Sequence, residues 1–118
     1  MEKNLEISLL FDFYSKLLTP TQQEAVSLYY NDDLSLQETA DILKMSRQGV
    51  RDALNRAKKS LYTFEENLGL CERFSKTQQG LQLIIENAME LTKLADGKAS
   101  ELSHDILNTA QNLYEQEV

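Results

Sequence analysis

Arg47, Gln48, Arg51 and Asn55 have side chains whose hydrogen-bonding geometry matches nucleobase edges. A guanidinium grips guanine through two N–H groups, and a carboxamide grips adenine as donor and acceptor at once. At helical spacing Arg47, Arg51, Asn55 and Lys58 fall nearly on one line, and Tyr62 continues it. Lys58 and Lys59, further along, suit phosphates. Ser46 stands just ahead as a good N-cap, and the free backbone amides at that end form a natural phosphate anchor. The chemistry these residues allow is recognition of a duplex nucleic acid. A plainer reading stands beside it: basic residues late in a helix also complement its macrodipole, and Asp52 with Arg56 makes an ordinary i,i+4 pair.

The local charge is unusual for this chain. The 118 residues carry a net charge of −7, which argues against a protein that coats nucleic acid indiscriminately. Residues 1–70 hold 8 basic and 11 acidic groups and residues 71–118 hold 4 and 8, so both halves are acidic. Between positions 44 and 59, however, Lys44, Arg47, Arg51, Arg56, Lys58 and Lys59 meet only Asp52. One short basic segment therefore sits in an acidic chain.

A helix-turn-helix is the element able to position these side chains, and the flanking sequence predicts one. Ser35-Leu36-Gln37-Glu38 is a capping box opening a short helix with Leu36, Ala40 and Leu43 on its apolar side and Ile42 beside them. Ala40 supplies the small residue that a crossing helix needs, and Lys44-Met45 supplies the tight turn. Beyond Ser46, the residues Val50, Ala53, Leu54, Ala57, Leu61 and Phe64 form a stripe of roughly 100°, the width of a core-facing surface. Upstream, Ile7, Leu10, Phe11, Tyr14 and Leu18 predict a first helix over residues 3–18. Thr19-Pro20-Thr21-Gln22 then restarts a helix through about Tyr30, and Asn31-Asp32-Asp33 stops it.

After a break at Asn67-Leu68-Gly69, two further helices are expected over 71–95 and 101–116, separated by Asp96-Gly97-Lys98, the second capped by Ser100. Leu81, Leu83, Ile84, Ile85, Ala88, Met89, Leu91, Leu94 and Ala95 cover an arc of roughly 240°, too wide for one contact. Either this helix is sandwiched within its own chain or part of its surface pairs with a second subunit. The expectation is an all-α protein with a tri-helical helix-turn-helix core, an N-terminal helix and extra C-terminal helices. Residues 1–70 form the helix-turn-helix domain, and residues 71–118 form a helical tail packing on it and able to dimerise.

Catalysis finds little support. Cys71 is the only cysteine and His104 the only histidine, so neither an intrachain disulfide nor a cysteine-based zinc site can be built, and their contexts do not suggest a dyad. No phosphate loop, metal cluster or carboxylate dyad is present, and no cofactor is expected. Glu6 and Asp12 interrupt the apolar N-terminal stretch, which lacks a secretory layout, and no window reaches membrane-spanning length. A cytoplasmic protein without membrane insertion is expected.

The run Leu18-Thr19-Pro20, Gln23 to Tyr30, Leu36 to Ala40 and Ser46 to Val50 resembles the fourth region of bacterial sigma factors, departing at Lys44, where that family often has glycine. No promoter-melting segment with exposed aromatics accompanies it, so the chain is not a working sigma factor. A closer likeness covers nearly the whole chain: the first helix, TPTQ, YYNDDLSL and SRQGVRDAL together resemble the YlxM family of small helix-turn-helix proteins. That resemblance implies a regulator encoded beside signal-recognition-particle genes and acting in co-translational protein targeting. Two functions stay open. One is an accessory regulator touching the particle's RNA or protein components; the other is a dimeric DNA-binding transcription regulator.

Overall fold

A computed structural model describes residues 5–116, and these are all-helical, with no strand. The chain divides into two compact units, Met1–Cys71 and Glu72–Val118.

In the first unit, α1 (Leu5–Tyr14) runs into a 3-10 turn (Ser15–Leu17) and is followed by α2 (Pro20–Val26), α3 (Leu36–Leu43) and α4 (Arg47–Leu68). Positions 3 and 4 of the expected first helix lie outside the described residues. The restart at α2 is a full capping box: Gln22 N–H donates to Thr19 Oγ1 at 3.2 Å, Thr19 N–H donates to Gln22 Oε1 at 3.1 Å, and Pro20 opens the helix. The box at α3 is equally complete, with Glu38 N–H on Ser35 Oγ at 3.0 Å and Ser35 N–H on Glu38 Oε1 at 2.9 Å. α1, α2 and α3 all pack on α4. Ile7, Leu10, Tyr14, Leu18, Ala25, Val26, Ala40, Val50, Leu54, Ala57 and Leu61 form the buried core, so the apolar stripe of α4 faces inward as its spacing predicts.

Two local features differ from the expected plain helices. α2 passes into a π turn over Ser27–Asn31, closed by Asp32 N–H on the Ser27 carbonyl at 3.0 Å. Leu28, Tyr29 and Tyr30 are consecutive and all half-buried, and Tyr29 and Tyr30 both lean on the core. A wider turn narrows the angle between successive side chains, and it ends on Asp33 in the left-handed region at φ +57°. The second difference lies in the tail, described below.

The turn between α3 and α4 is built by Lys44, which adopts φ +56° and ψ +46°, while Met45 N–H reaches back to the Ala40 carbonyl at 3.0 Å. Lysine thus takes the left-handed conformation that glycine reaches without a Cβ penalty, at about 1–2 kcal/mol. Gly49 answers a different need, because a Cβ there would stand 3.2 Å from Ser46 Oγ and 3.3 Å from Met45 Cε. Gly69, at φ +63°, ends α4 where the sequence places a break, and α5 (Leu70–Leu94) begins at once.

The chain from Glu65 to Cys71 is held by a buried phenol. The Tyr14 hydroxyl donates to Glu65 Oε1 at 2.6 Å and accepts from Leu70 N–H at 3.0 Å, and Cys71 N–H donates to the same Glu65 oxygen at 3.0 Å. Burial first, then the bond to the Glu65 carboxylate, raises the Tyr14 phenol above its usual value.

The second unit is a helical hairpin of α5, from Glu72 onward, and α6 (Gly97–Tyr114). Gln78 Nε2 donates to the Tyr114 carbonyl at 3.1 Å, tying the early part of one helix to the end of the other. Ser100 does not cap α6, contrary to expectation: the helix starts at Gly97, behind an extended Asp96, and Ser100 lies inside its first turn. Gly97 at φ +59° lets the chain re-enter a helix immediately, which removes the longer linker that the Asp96-Gly97-Lys98 run suggests. Ile85, Ala88, Ser103 and Ala110 are the buried residues of these helices.

Candidate nucleic-acid interface

The second helix of the helix-turn-helix starts at a well-made cap. Ser46 Oγ accepts from Gly49 N–H at 2.9 Å, and Val50 N–H bonds to the Ser46 carbonyl at 3.0 Å. This leaves the Arg47 and Gln48 amides of the first turn without a partner among the described residues, available to an anion. Ser46 therefore positions the site through its capping bond.

Arg47, Gln48, Arg51, Asn55 and Lys59 are exposed and Lys58 is half-buried, so the expected residues do share the outer surface of α4. Among the described residues no ion pair engages Arg47, Arg51, Lys58 or Lys59, and neither their side chains nor that of Asn55 makes a hydrogen bond; Thr63 Oγ1 donates only to the Lys59 carbonyl, at 2.9 Å. Gln48 differs: its Nε2 donates to Asp52 Oδ1 at 2.9 Å, and that bond must open before its carboxamide can meet a base. The same contact corrects the expected pairing of Asp52 with Arg56, since Gln48 holds the carboxylate and no ion pair joins the two among the described residues. Asp52 and Arg56 instead line a cleft of about 320 Å³ with Met45, Gly49 and the Thr19–Gln22 turn.

The charge consequence follows from geometry. Cations without carboxylate partners among the described residues, gathered on one helix face, favour a positive local potential there although the molecule is acidic. The sequence does not disclose what borders the far end of this face. Tyr62, on the same line and 41% exposed, has Tyr30 as a neighbour, and Tyr30 packs edge-on against Tyr29 with ring centroids 5.0 Å apart. No residue spacing signals that meeting.

Cys71 offers no competing chemistry. Burial, followed by the neighbouring Glu65 carboxylate, pushes its thiol up to about 11, so it stays protonated and poorly nucleophilic near neutral pH. Among the described residues no group of three His, Cys, Asp or Glu side chains could hold a metal ion, and no helix is long and apolar enough to cross a membrane.

An all-α fold with a capped, tight-turned helix pair and an exposed basic outer face defines a small helix-turn-helix protein. Comparison with known proteins agrees: residues 1–101 match the UPF0122 family, described as “Putative helix-turn-helix protein, YlxM / p13 like”. The chain belongs to that family, as its motifs imply. It is 38% identical over 96 residues to a UPF0122 protein of Clostridium botulinum, covering 81% of this chain and 88% of the relative. A relative from Thermoanaerobacter sp. (strain X514) is 41% identical over 107 residues, 83% of this chain and 92% of its own. One from Exiguobacterium sp. is 45% identical over 92 residues, 78% and 85% of the two chains.

Proposed function

We propose that this protein is a cytoplasmic regulator that acts by binding, not catalysis, and that α4 is its nucleic-acid contact. The observation that carries the reading is the set of cations and amides on α4 that no partner among the described residues engages. Arg47, Arg51 and Asn55 address base edges, Gln48 joins them once released from Asp52, and Lys58, Lys59 and the amides behind Ser46 hold phosphates. The likeness to the YlxM family supports a place in the signal-recognition-particle pathway, with the particle's RNA or protein components as partners.

Self-association through the C-terminal helices completes this reading. Leu83, Ile84, Met89 and Leu91 remain 45–59% exposed, and large apolar side chains left open in this way favour a second copy. A dimer would present two α4 helices, the arrangement by which a helix-turn-helix protein reads paired half-sites. This feature favours the second reading, a dimeric DNA-binding transcription regulator outside protein targeting.

Binding titrations with duplex DNA and with the particle's RNA separate the two. Arg47→Ala combined with Arg51→Ala should weaken binding to the preferred ligand and relax sequence preference, each bidentate contact contributing about 1–3 kcal/mol of discrimination. Particle proteins retained from an extract after nuclease treatment would support the first reading. If neither nucleic acid binds at low salt, α4 is not a nucleic-acid contact.

A further inference from the structure

The exposed line on α4 runs from its first turn to Tyr62. In a helix-turn-helix the N-terminal residues of the second helix contact the base edges. Arg47, Arg51 and Asn55 lie within about 12 Å of rise at that end, whereas Tyr62 lies about 22 Å from Arg47 along the axis, beyond Lys58. Tyr62 is therefore placed away from the base edges that those residues address.

It is nevertheless built as a surface feature. Its ring is 41% exposed, and its hydroxyl enters no hydrogen bond among the described residues. Tyr30, near it in the fold, packs edge-on against Tyr29 with centroids 5.0 Å apart, and both lean on the core. The proximity shows in the Tyr30 phenol, which burial raises first and its Tyr29 and Tyr62 neighbours raise further. Lys58 precedes Tyr62 by one turn and Glu66 follows by one turn, so the ring marks the end of the cationic stripe. A phosphate would find a cation on only one side of it. A neutral, planar ligand attached to a phosphate strand suits the position better.

We infer that Tyr62 is a stacking platform for one unpaired nucleobase, and that the preferred ligand of α4 is a duplex interrupted by or ending in an unpaired nucleotide. Bases displaced from a helix stack readily on aromatic side chains, and every base offers a π face, so the contact selects for the unpaired state instead of for sequence. This inference rests on α4 being the nucleic-acid contact.

The test uses a mixed-sequence duplex two helical turns long, fully paired or carrying one unpaired 2-aminopurine, made both as DNA and as RNA. At low salt the full-length protein should bind the interrupted duplex about 5- to 150-fold more tightly, the range of one base-aromatic stack, and quench the 2-aminopurine emission. Tyr62→Ala should abolish both effects, and Tyr62→Leu, which keeps apolar bulk at the position, should do the same with an unchanged melting temperature. Tyr62→Phe should retain them. The DNA and RNA arms report which strand chemistry supplies the base. Equal binding of paired and interrupted duplexes overturns the inference and leaves α4 as a groove contact. Loss of the preference in Tyr62→Phe also overturns it, because the hydroxyl and not the ring would then make the contact. If no probe binds, this inference and the assignment of α4 fall together.

Discussion

Tyr14→Phe should destabilise the first unit by about 1–3 kcal/mol, although it deletes one oxygen and leaves the ring in place. The lost hydroxyl makes two contacts, a 2.6 Å bond to a carboxylate and a 3.0 Å bond from Leu70 N–H, between segments 51 and 56 residues apart. A bond to a charged group is worth about 1.5–3 kcal/mol and a neutral one about 0.5–1.5 kcal/mol, which sets an upper range. Glu65 is only half-buried and keeps Cys71 N–H at 3.0 Å, and Leu70 is exposed, so water can replace part of each lost contact. The ring contact with Phe64, at 5.9 Å between centroids, survives. Thermal melts read the result, with about 4–8 °C of shift per kcal/mol for a unit of this size. A second signature lies in alkali. The Tyr14 pKa is raised in the folded state, so its contribution is present below the unfolded value of 10.0 and is lost as pH rises through the folded value. The difference between wild type and Tyr14→Phe should therefore shrink above pH 10. Coincident melts at neutral pH would refute the assignment of this phenol as the clamp on the end of α4.

Leu54, 5% exposed at the centre of the α4 stripe, should cost about 2–5 kcal/mol on replacement by Ala, whereas exposed Arg51→Ala should stay within about 0.5 kcal/mol of wild type by urea unfolding. Lys58→Ala with Lys59→Ala should weaken binding to all duplex sequences alike and lower the salt slope by about 1.8, which is about 12-fold less loss of affinity between 50 and 200 mM salt. An unchanged slope in anisotropy titrations would remove both lysines from the phosphate contacts. Alkylation of Cys71 in the native protein should climb toward a midpoint near pH 11 instead of 9.0, and unfolding in urea should restore the lower midpoint.

The parts of this protein that were legible in its residues are those settled within one turn of chain. The capping boxes at Thr19 and Ser35, the Ser46 cap and the break at Gly69 each depend on neighbours no more than four positions away. The outer face of α4 was legible for a related reason, since helical period alone sorts Arg47, Arg51 and Asn55 from Val50 and Leu54. What the period could not reveal is how an exposed side chain is engaged. It paired Asp52 with Arg56, but Gln48 competes for the same carboxylate at the same i,i+4 spacing and holds it. Nor could it reveal relations across the fold. The Tyr14–Glu65 clamp joins residues 51 apart, and the π turn carries Tyr29 and Tyr30, adjacent in the chain, onto one core. The same limit governs the tail, where the 240° apolar arc was visible but its division was not. Small Ala88, Ser103 and Ala110 occupy the buried seam of these helices, while Ile84 and Met89, larger and more apolar, stay outside it. Two helices offer each other only one face, so an arc wider than that face must leave apolar area uncovered, and its size measures how much a further helix layer has to supply.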